Sequence, residues 1–279
     1  MENFEIAGGT VVGKHHRLLG LNNQDTYRWF KTPEALVAIV CDGCSEGKQS
    51  EVGANIGAEL ILSAFQRQLS QIPELPKPTE VFFERVRQEV LAEIRVMCLM
   101  LGNSLTDTVV NNFLFTTVGA IVTPKRTLIF SIGDGVVGWN NLIEKLSPRP
   151  GNQPAYLGYG LFQPLPKGFV EDDIRFQIQV DCPTEEVSSI FLASDGLVDL
   201  MHASLKPIPG KTEMVGPLSQ FWQEDSYFSN TDKIRRKLHL VAREVIKLNS
   251  AGQMEKETGW LEDDTTLIVI RRKPAKTEA

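Results

Sequence analysis

The sequence predicts an α+β protein whose sheet is mixed or antiparallel. Short apolar runs of strand length occur at residues 35–41, 113–122, 127–132, 174–180, 189–193 and 266–270. Longer stretches at 48–71, 79–101 and 230–248 carry a helical stripe instead. These helical stretches are grouped rather than alternating one-for-one with strands, which disfavours a doubly wound parallel sheet.

Near the start, "NNQDTY" places Asp25 in a polar turn before the first strong strand. That strand, "ALVAIVCDG", runs straight into Asp42-Gly43. The following stretch carries Ile56, Leu60 and Phe65 toward a core. Thr79 is an N-cap candidate for the next helix, whose stripe is Phe83, Val86, Val90, Ile94, Met97 and Leu101. After the paired runs at 113–122 and 127–132, "TLIFSIGDG" ends on Asp134-Gly135, and "SSIFLASDG" ends on Asp195-Gly196. A last helix is expected from Ile234, Leu238, Val241, Val245 and Leu248 after Asn230 or Thr231. In "EDDTTLIVI" the order reverses, with Asp263 and Asp264 just before a strand. Residues 148–168 and 202–229 read as irregular. The second is long for a loop in a compact domain, which makes it a candidate flap or substrate-facing segment.

Composition narrows the function classes. The chain has 279 residues, 42% hydrophobic and 23% charged, ample for a sizeable core. A net charge of −6 argues against a nucleic-acid or anionic-membrane partner held by bulk electrostatics. No apolar run approaches the ~20 residues that span a bilayer, and the N-terminus lacks the pattern of a signal peptide. Four cysteines, Cys41, Cys44, Cys98 and Cys182, suit a reducing, cytoplasmic setting. The pair around Asp42-Gly43 has no second C-x-x-C and no clustered histidines, so a four-ligand zinc site is disfavoured. A redox pair is disfavoured by the carboxylate beside the thiols.

Any single Asp-Gly between apolar residues is more often a hairpin turn than a site. Here "CSEGKQSEVGA" and "LVDLMHASLKP", after Asp42 and Asp195, do not resume a strand at once. Carboxylates at strand ends can converge on one sheet edge, an arrangement that needs a cation to neutralise it. Glycine after aspartate allows close backbone approach, so its carbonyl can serve as a further oxygen ligand. An all-oxygen set suits Mg²⁺ or Mn²⁺. Two such ions ~3.5–4 Å apart can bind a phosphoryl group and activate water for in-line attack. His15 and His16 could supply a general acid, although loop histidines are more often merely exposed.

Gln24-Asp25, Asp42-Gly43, Gly133-Asp134-Gly135, Ser194-Asp195-Gly196-Leu197-Val198-Asp199 and Asp263-Asp264-Thr265-Thr266 follow one another in an order that resembles the metal-dependent protein serine/threonine phosphatases of the type-2C (PPM) family, and especially their compact bacterial branch. The matching elements span Asn22 to Ile270. The resemblance implies two packed antiparallel β-sheets flanked by α-helices, forming a single domain over 1–272 with a flexible tail at 273–279. It implies two Mn²⁺ or Mg²⁺ ions, with a third held more weakly. Asp42 would bridge the two ions, the Gly43 carbonyl would ligate the second, and Asp195 and Asp263 would hold the first. Asp25 would support the waters on the metals, and Asp134 and Asp199 would serve the third ion. The expected protein is a cytoplasmic signalling enzyme and a monomer. Its partner would be a phosphoprotein, such as a kinase-linked signalling protein, hydrolysed without a phosphoenzyme.

The chain also departs from that pattern. Gln24 stands where an acidic residue is common, and Gly20 where a phosphate-binding Arg is common. Arg17 or His16 is the expected substitute. Cys44-Ser45-Glu46 replaces His-Gly-Gly, and Gly135-Val136 replaces Ser-Arg. These departures keep two alternatives in view: a pseudophosphatase that binds phosphoproteins with little or no turnover, and a hydrolase of small phosphorylated molecules.

Overall fold

The computed structural model of the chain describes residues 1–102, 104–147, 153–248 and 252–273. In chain order come β1 (Phe4–Val11), α1 (Lys14–Leu19), β2 (Asp25–Lys31) and β3 (Leu36–Gly43). Helices α2 (Ser50–Ser70), α3 (Glu80–Leu101) and α4 (Leu105–Asn112) follow. Strands β4 (Phe115–Val122), β5 (Arg126–Ile132), β6 (Gly135–Trp139) and β7 (Leu142–Leu146) come next. The second half holds β8 (Gln177–Pro183), β9 (Ser189–Ala193), α5 (Leu197–His202), α6 (Gln220–Gln223), α7 (Ser226–Ser229) and α8 (Lys233–Ala242). It closes with β10 (Val245–Leu248), β11 (Met254–Glu257) and β12 (Thr265–Arg272).

Two five-stranded antiparallel sheets result, in the orders β1-β12-β9-β6-β7 and β2-β3-β4-β5-β8, and β10 and β11 form a separate hairpin. Side-chain alternation sets the layers. On β3, Leu36, Ala38 and Val40 enter the core between the sheets with Ile190, Leu192, Ile268 and Ile270 of the other sheet. Val37, Ile39 and Cys41 face the opposite way, into a core with α2 and α3. The outer face of the other sheet, through Phe191, Ala193, Leu267 and Val269, packs on α5 and α8. The order is helix, sheet, sheet, helix, with strands buried on both faces. That double burial is why β3, β4, β5, β9 and β12 read as continuous apolar runs.

The expected two-sheet sandwich flanked by helices is the fold observed. Three expectations are corrected. The last helix ends at Ala242, because Arg243 turns extended with its guanidinium on the Pro209 carbonyl, while the Trp260 N–H bonds the Val241 carbonyl. Val245 and Leu248 belong to β10, outside the core. The run expected at 174–180 is shifted, since Ile174 closes a short 3₁₀ turn and β8 begins at Gln177. Finally, 202–229 is no flap over the acidic residues. Ile208, Val215, Phe221 and Tyr227 bury it against the outer face of the first sheet. The expected tail falls outside the described residues from 274 on.

Candidate metal centre and active-site cleft

The register of the second sheet sets Asp25 on β2 directly opposite Asp42 on β3, and Asp42 opposite Thr116 on β4. By alternation all three lie on the inter-sheet side, at the strand ends. Like charges directly opposite each other destabilise a sheet. The first sheet adds Asp195, just past β9, and Asp263, just before β12. Asp134 sits where the chain crosses from β5 in one sheet to β6 in the other. It is flanked by Gly133 at φ +86° and Gly135 at φ +138°, where a Cβ would come within 2.7 Å of the Ala155 carbonyl oxygen and 2.9 Å of the Ala193 carbonyl oxygen respectively. Glycine is required at both positions, and the Asp134 side chain is aimed by them. Asp42, Gly43, Asp134, Asp195 and Asp263 line one cleft of about 620 Å³. Among the described residues, no Lys, Arg or His lines it.

Crowding and lost hydration raise the carboxyl pKa values. Asp42 is held well above the usual range by burial, then by Asp25, Asp195, Asp263 and Asp134. Burial likewise lifts Asp25, against the hydrogen bond from Ser194. Asp134 is pushed up to about 6 by burial and by Asp195. Asp263 is raised by loss of water and by Asp195, against an N–H bond from Asp264. The buried Oδ1 of Asp25 has no partner, and among the described residues neither the Asp42 nor the Asp195 carboxylate accepts a hydrogen bond. Repelling carboxylates with open oxygen lone pairs form the donor set of a hard divalent cation. The residues present fit such an ion.

A supporting layer lies behind the cleft. The Ser194 hydroxyl donates to Asp25 Oδ2 at 2.6 Å and accepts from the Thr266 N–H at 3.0 Å, tying β2 to β12. Asp264 is buried and already engaged: Oδ1 accepts from the Gly13 N–H at 2.7 Å and Oδ2 from the Gln24 N–H at 2.6 Å. The Gln24 carbonyl in turn accepts from the Gly43 N–H at 3.1 Å. His16 is 3% exposed, and its Nδ1 lies 2.9 Å from Asp264 Oδ2, off the line of a good hydrogen bond. Donor atoms of His16, Asp263 and Asp264 fall within 4.8 Å of one another. Because both Asp264 oxygens are already bonded, this group reads as a clamp.

The residues expected to bind phosphate lie elsewhere. Arg17 donates to the Ala242 carbonyl at 2.6 Å, and His16 is sealed beneath Asp264, so neither lines the cleft. Gly20, in the position of the expected Arg, is the left-handed C-cap of α1 at φ +68°. Asp199 accepts from the Glu262 N–H at 2.9 Å through Oδ2 and does not line the cleft either. Cys41 is buried in the helix-side core, whereas Cys44 reaches the cleft wall.

Sequence reasoning did not anticipate the opposite wall. Tyr156, Tyr159 and Phe162, from the stretch read as irregular, line the cleft with Glu46 and Thr116. The three rings form a ladder, with centroids 5.3 Å apart for Tyr156–Tyr159 and 5.8 Å for Tyr159–Phe162. The clustering of Tyr156, Leu157, Tyr159, Leu161 and Phe162 in a Gly/Pro-rich segment was the available signal.

The family model for protein phosphatase 2C matches residues 12–239. No curated protein matches the sequence. Several solved structures share the fold. A bacterial serine phosphatase is similar with TM-score 0.57 and 13% identity, over 98% of this chain and 100% of that one. The serine/threonine phosphatase Stp1 from Staphylococcus aureus gives 0.56 and 13%, over 97% and 96%. The catalytic domain of the serine threonine protein phosphatase PstP, in complex with two manganese ions, gives 0.54 and 14%, over 97% and 99%.

Proposed function

The chain belongs to the protein phosphatase 2C family, and from that premise we propose that it hydrolyses phosphoserine and phosphothreonine in proteins with the help of two Mn²⁺ or Mg²⁺ ions. The observation that carries this reading is the meeting of Asp42, Asp134, Asp195 and Asp263 from both sheets on one cleft that no cationic side chain lines among the described residues. Residues 1–272 act as one domain.

In this reading Asp42 would hold both ions, the Gly43 carbonyl the second, and Asp195 and Asp263 the first, while Asp134 would serve a weaker third with Asp199, whose Oδ2 already accepts from Glu262. When bound, the metals supply positive charge to the phosphoryl oxygens and make water acidic enough to attack at neutral pH. The protein's own contribution is placement. Ser194 fixes one oxygen of Asp25 in the layer behind the cleft, and Asp25 would support the waters of the metal site from there. Gly133 and Gly135 hold Asp134 at the sheet crossing, and Asp264 locks the strand that carries Asp263. Hydrolysis is direct, with no phosphoenzyme.

One observation favours the second reading, a phosphoprotein-binding module of little activity. With Gly20 in place of an Arg and Arg17 turned to the Ala242 carbonyl, no basic side chain among the described residues lines the cleft to hold phosphate. Titration calorimetry with Mn²⁺, alongside p-nitrophenyl phosphate hydrolysis, tests the proposal. Wild type is expected to bind about two ions and turn over substrate, while Asp195→Ala loses an ion and the activity. Unchanged hydrolysis in Asp195→Ala would remove that residue from the centre.

A further inference from the structure

Five carboxylates line the cleft: Asp42, Asp134, Asp195, Asp263 and Glu46. Four of them belong to the proposed ligand set, and two divalent ions bring four positive charges, so Glu46 is the one left over. Among the described residues Glu46 has no cationic partner. Glu46 lines the same cleft as Tyr159, whose hydroxyl is pushed up to about 12 by burial, the Cys44 thiol and Glu46. Tyr159 is the middle ring of the ladder, between Tyr156 and Phe162, and is braced from the side by Phe169 at 5.0 Å. A carboxylate next to partly exposed aromatic faces is the setting in which a guanidinium or ammonium group is held, by stacking on the ring and pairing with the acid. With no cation lining the cleft among the described residues, an acidic neighbour of the phosphoresidue would meet only repulsion.

We infer that this cleft selects phosphoserine or phosphothreonine segments with an arginine or lysine next to the phosphoresidue, and that Glu46 with the Tyr159–Phe162 shelf is the specificity-determining pocket for that basic side chain. The inference rests on the phosphatase reading above and adds the class of substrate. Glu46 and Phe162 take no part in the proposed metal site, so their replacement alters selection and leaves the hydrolytic machinery intact.

The test uses the full chain loaded with Mn²⁺ and phosphothreonine peptides that differ only in the flanking residue: Arg, Leu or Glu. Wild type is expected to favour the Arg peptide over the Glu peptide by about tenfold or more in kcat/KM, from one exposed ion pair plus a cation–π contact. Glu46→Gln and Phe162→Leu should each reduce that preference several-fold, while p-nitrophenyl phosphate hydrolysis stays within about twofold. Glu46→Lys should shift the preference toward the Glu peptide. Equal rates for Arg and Leu peptides in wild type would overturn the inference, as would an Arg preference that survives in both Glu46→Gln and Phe162→Leu. Absence of p-nitrophenyl phosphate turnover would count against the phosphatase reading. Peptide Kd values by fluorescence anisotropy then decide the same ranking without turnover.

Discussion

Asp25 and Asp42 face each other at the end of a sheet, a placement that repulsion and lost hydration both disfavour. The folded protein therefore carries strain that a cation bound there would relieve, and neutralising one member should relieve it too. Asp42→Asn is expected to melt several degrees higher than wild type in the absence of metal, reflecting about 1–2 kcal/mol, while losing hydrolysis. A metal-free Asp42→Asn that melts no higher than wild type would show that the carboxylates do not oppose one another in the folded chain. At this scale the acidic set was legible, because each Asp ends or precedes an apolar run that the core demands. Arg17 and His16 misled, since sequence distance to Asp25 says nothing about the turn of α1. That turn sends Arg17 to the Ala242 carbonyl and His16 beneath Asp264. Ser194 and Asp264 act through partners up to 251 residues away, which no local pattern encodes.

Among the elements, α1, β2 and β12 meet at a single side chain. Asp264 accepts two buried backbone N–H groups, from Gly13 ahead of α1 and from Gln24 ahead of β2, and stands one residue from Asp263. Asp264→Ala would orphan both donors, at about 2–4 kcal/mol. The expected result in thermal melting is a drop of several degrees in metal-free protein, with weaker Mn²⁺ binding through displaced Asp263. Asp264→Asn keeps an acceptor for one N–H and should lose less. Equal melting of wild type and Asp264→Ala would refute the clamp. Strands covered on both faces announced themselves as apolar runs, whereas β1, β2, β6 and β7 did not. Edge position weakens the pattern of β1, β2 and β7, the last reading exposed, half-buried, exposed, exposed, buried, whereas the interior strand β6 is buried but only five residues long with two glycines. The stripe of α8 overran into β10 because Val245 and Leu248 keep helical spacing by chance, and pairing with β11 decides their conformation.

Across the whole molecule, two sheets bring carboxylates from five stretches of chain to one edge, so stability and the proposed metal binding would be linked. A carboxyl raised in the folded state contributes stability at low pH and loses it as pH rises through the folded value. For Asp134 that window runs from the ordinary aspartate range up to about 6, and Asp42 and Asp25 shift the same way. Carboxylates paired on the surface, such as Asp181 with Arg126, act in the opposite sense. The informative quantity is thus the difference between metal-loaded and metal-free melting. Mn²⁺ at a hundredfold excess over Kd should raise Tm by about 5–10 °C at neutral pH and by much less at pH 5. A shift that does not grow with pH would detach the metal from the acidic edge. The fold class was readable from grouping of helices and continuity of strands. The aromatic shelf was not, because it is built by a segment without periodicity.

As a divalent-metal phosphatase centre, this acidic edge should be silent without its ions. Its most direct test is phosphate release from a phosphothreonine peptide by EDTA-stripped protein, followed as Mn²⁺ is added back. No release is expected without metal, and saturable release with it. Release that persists in EDTA, or none at any Mn²⁺ concentration, would contradict that expectation.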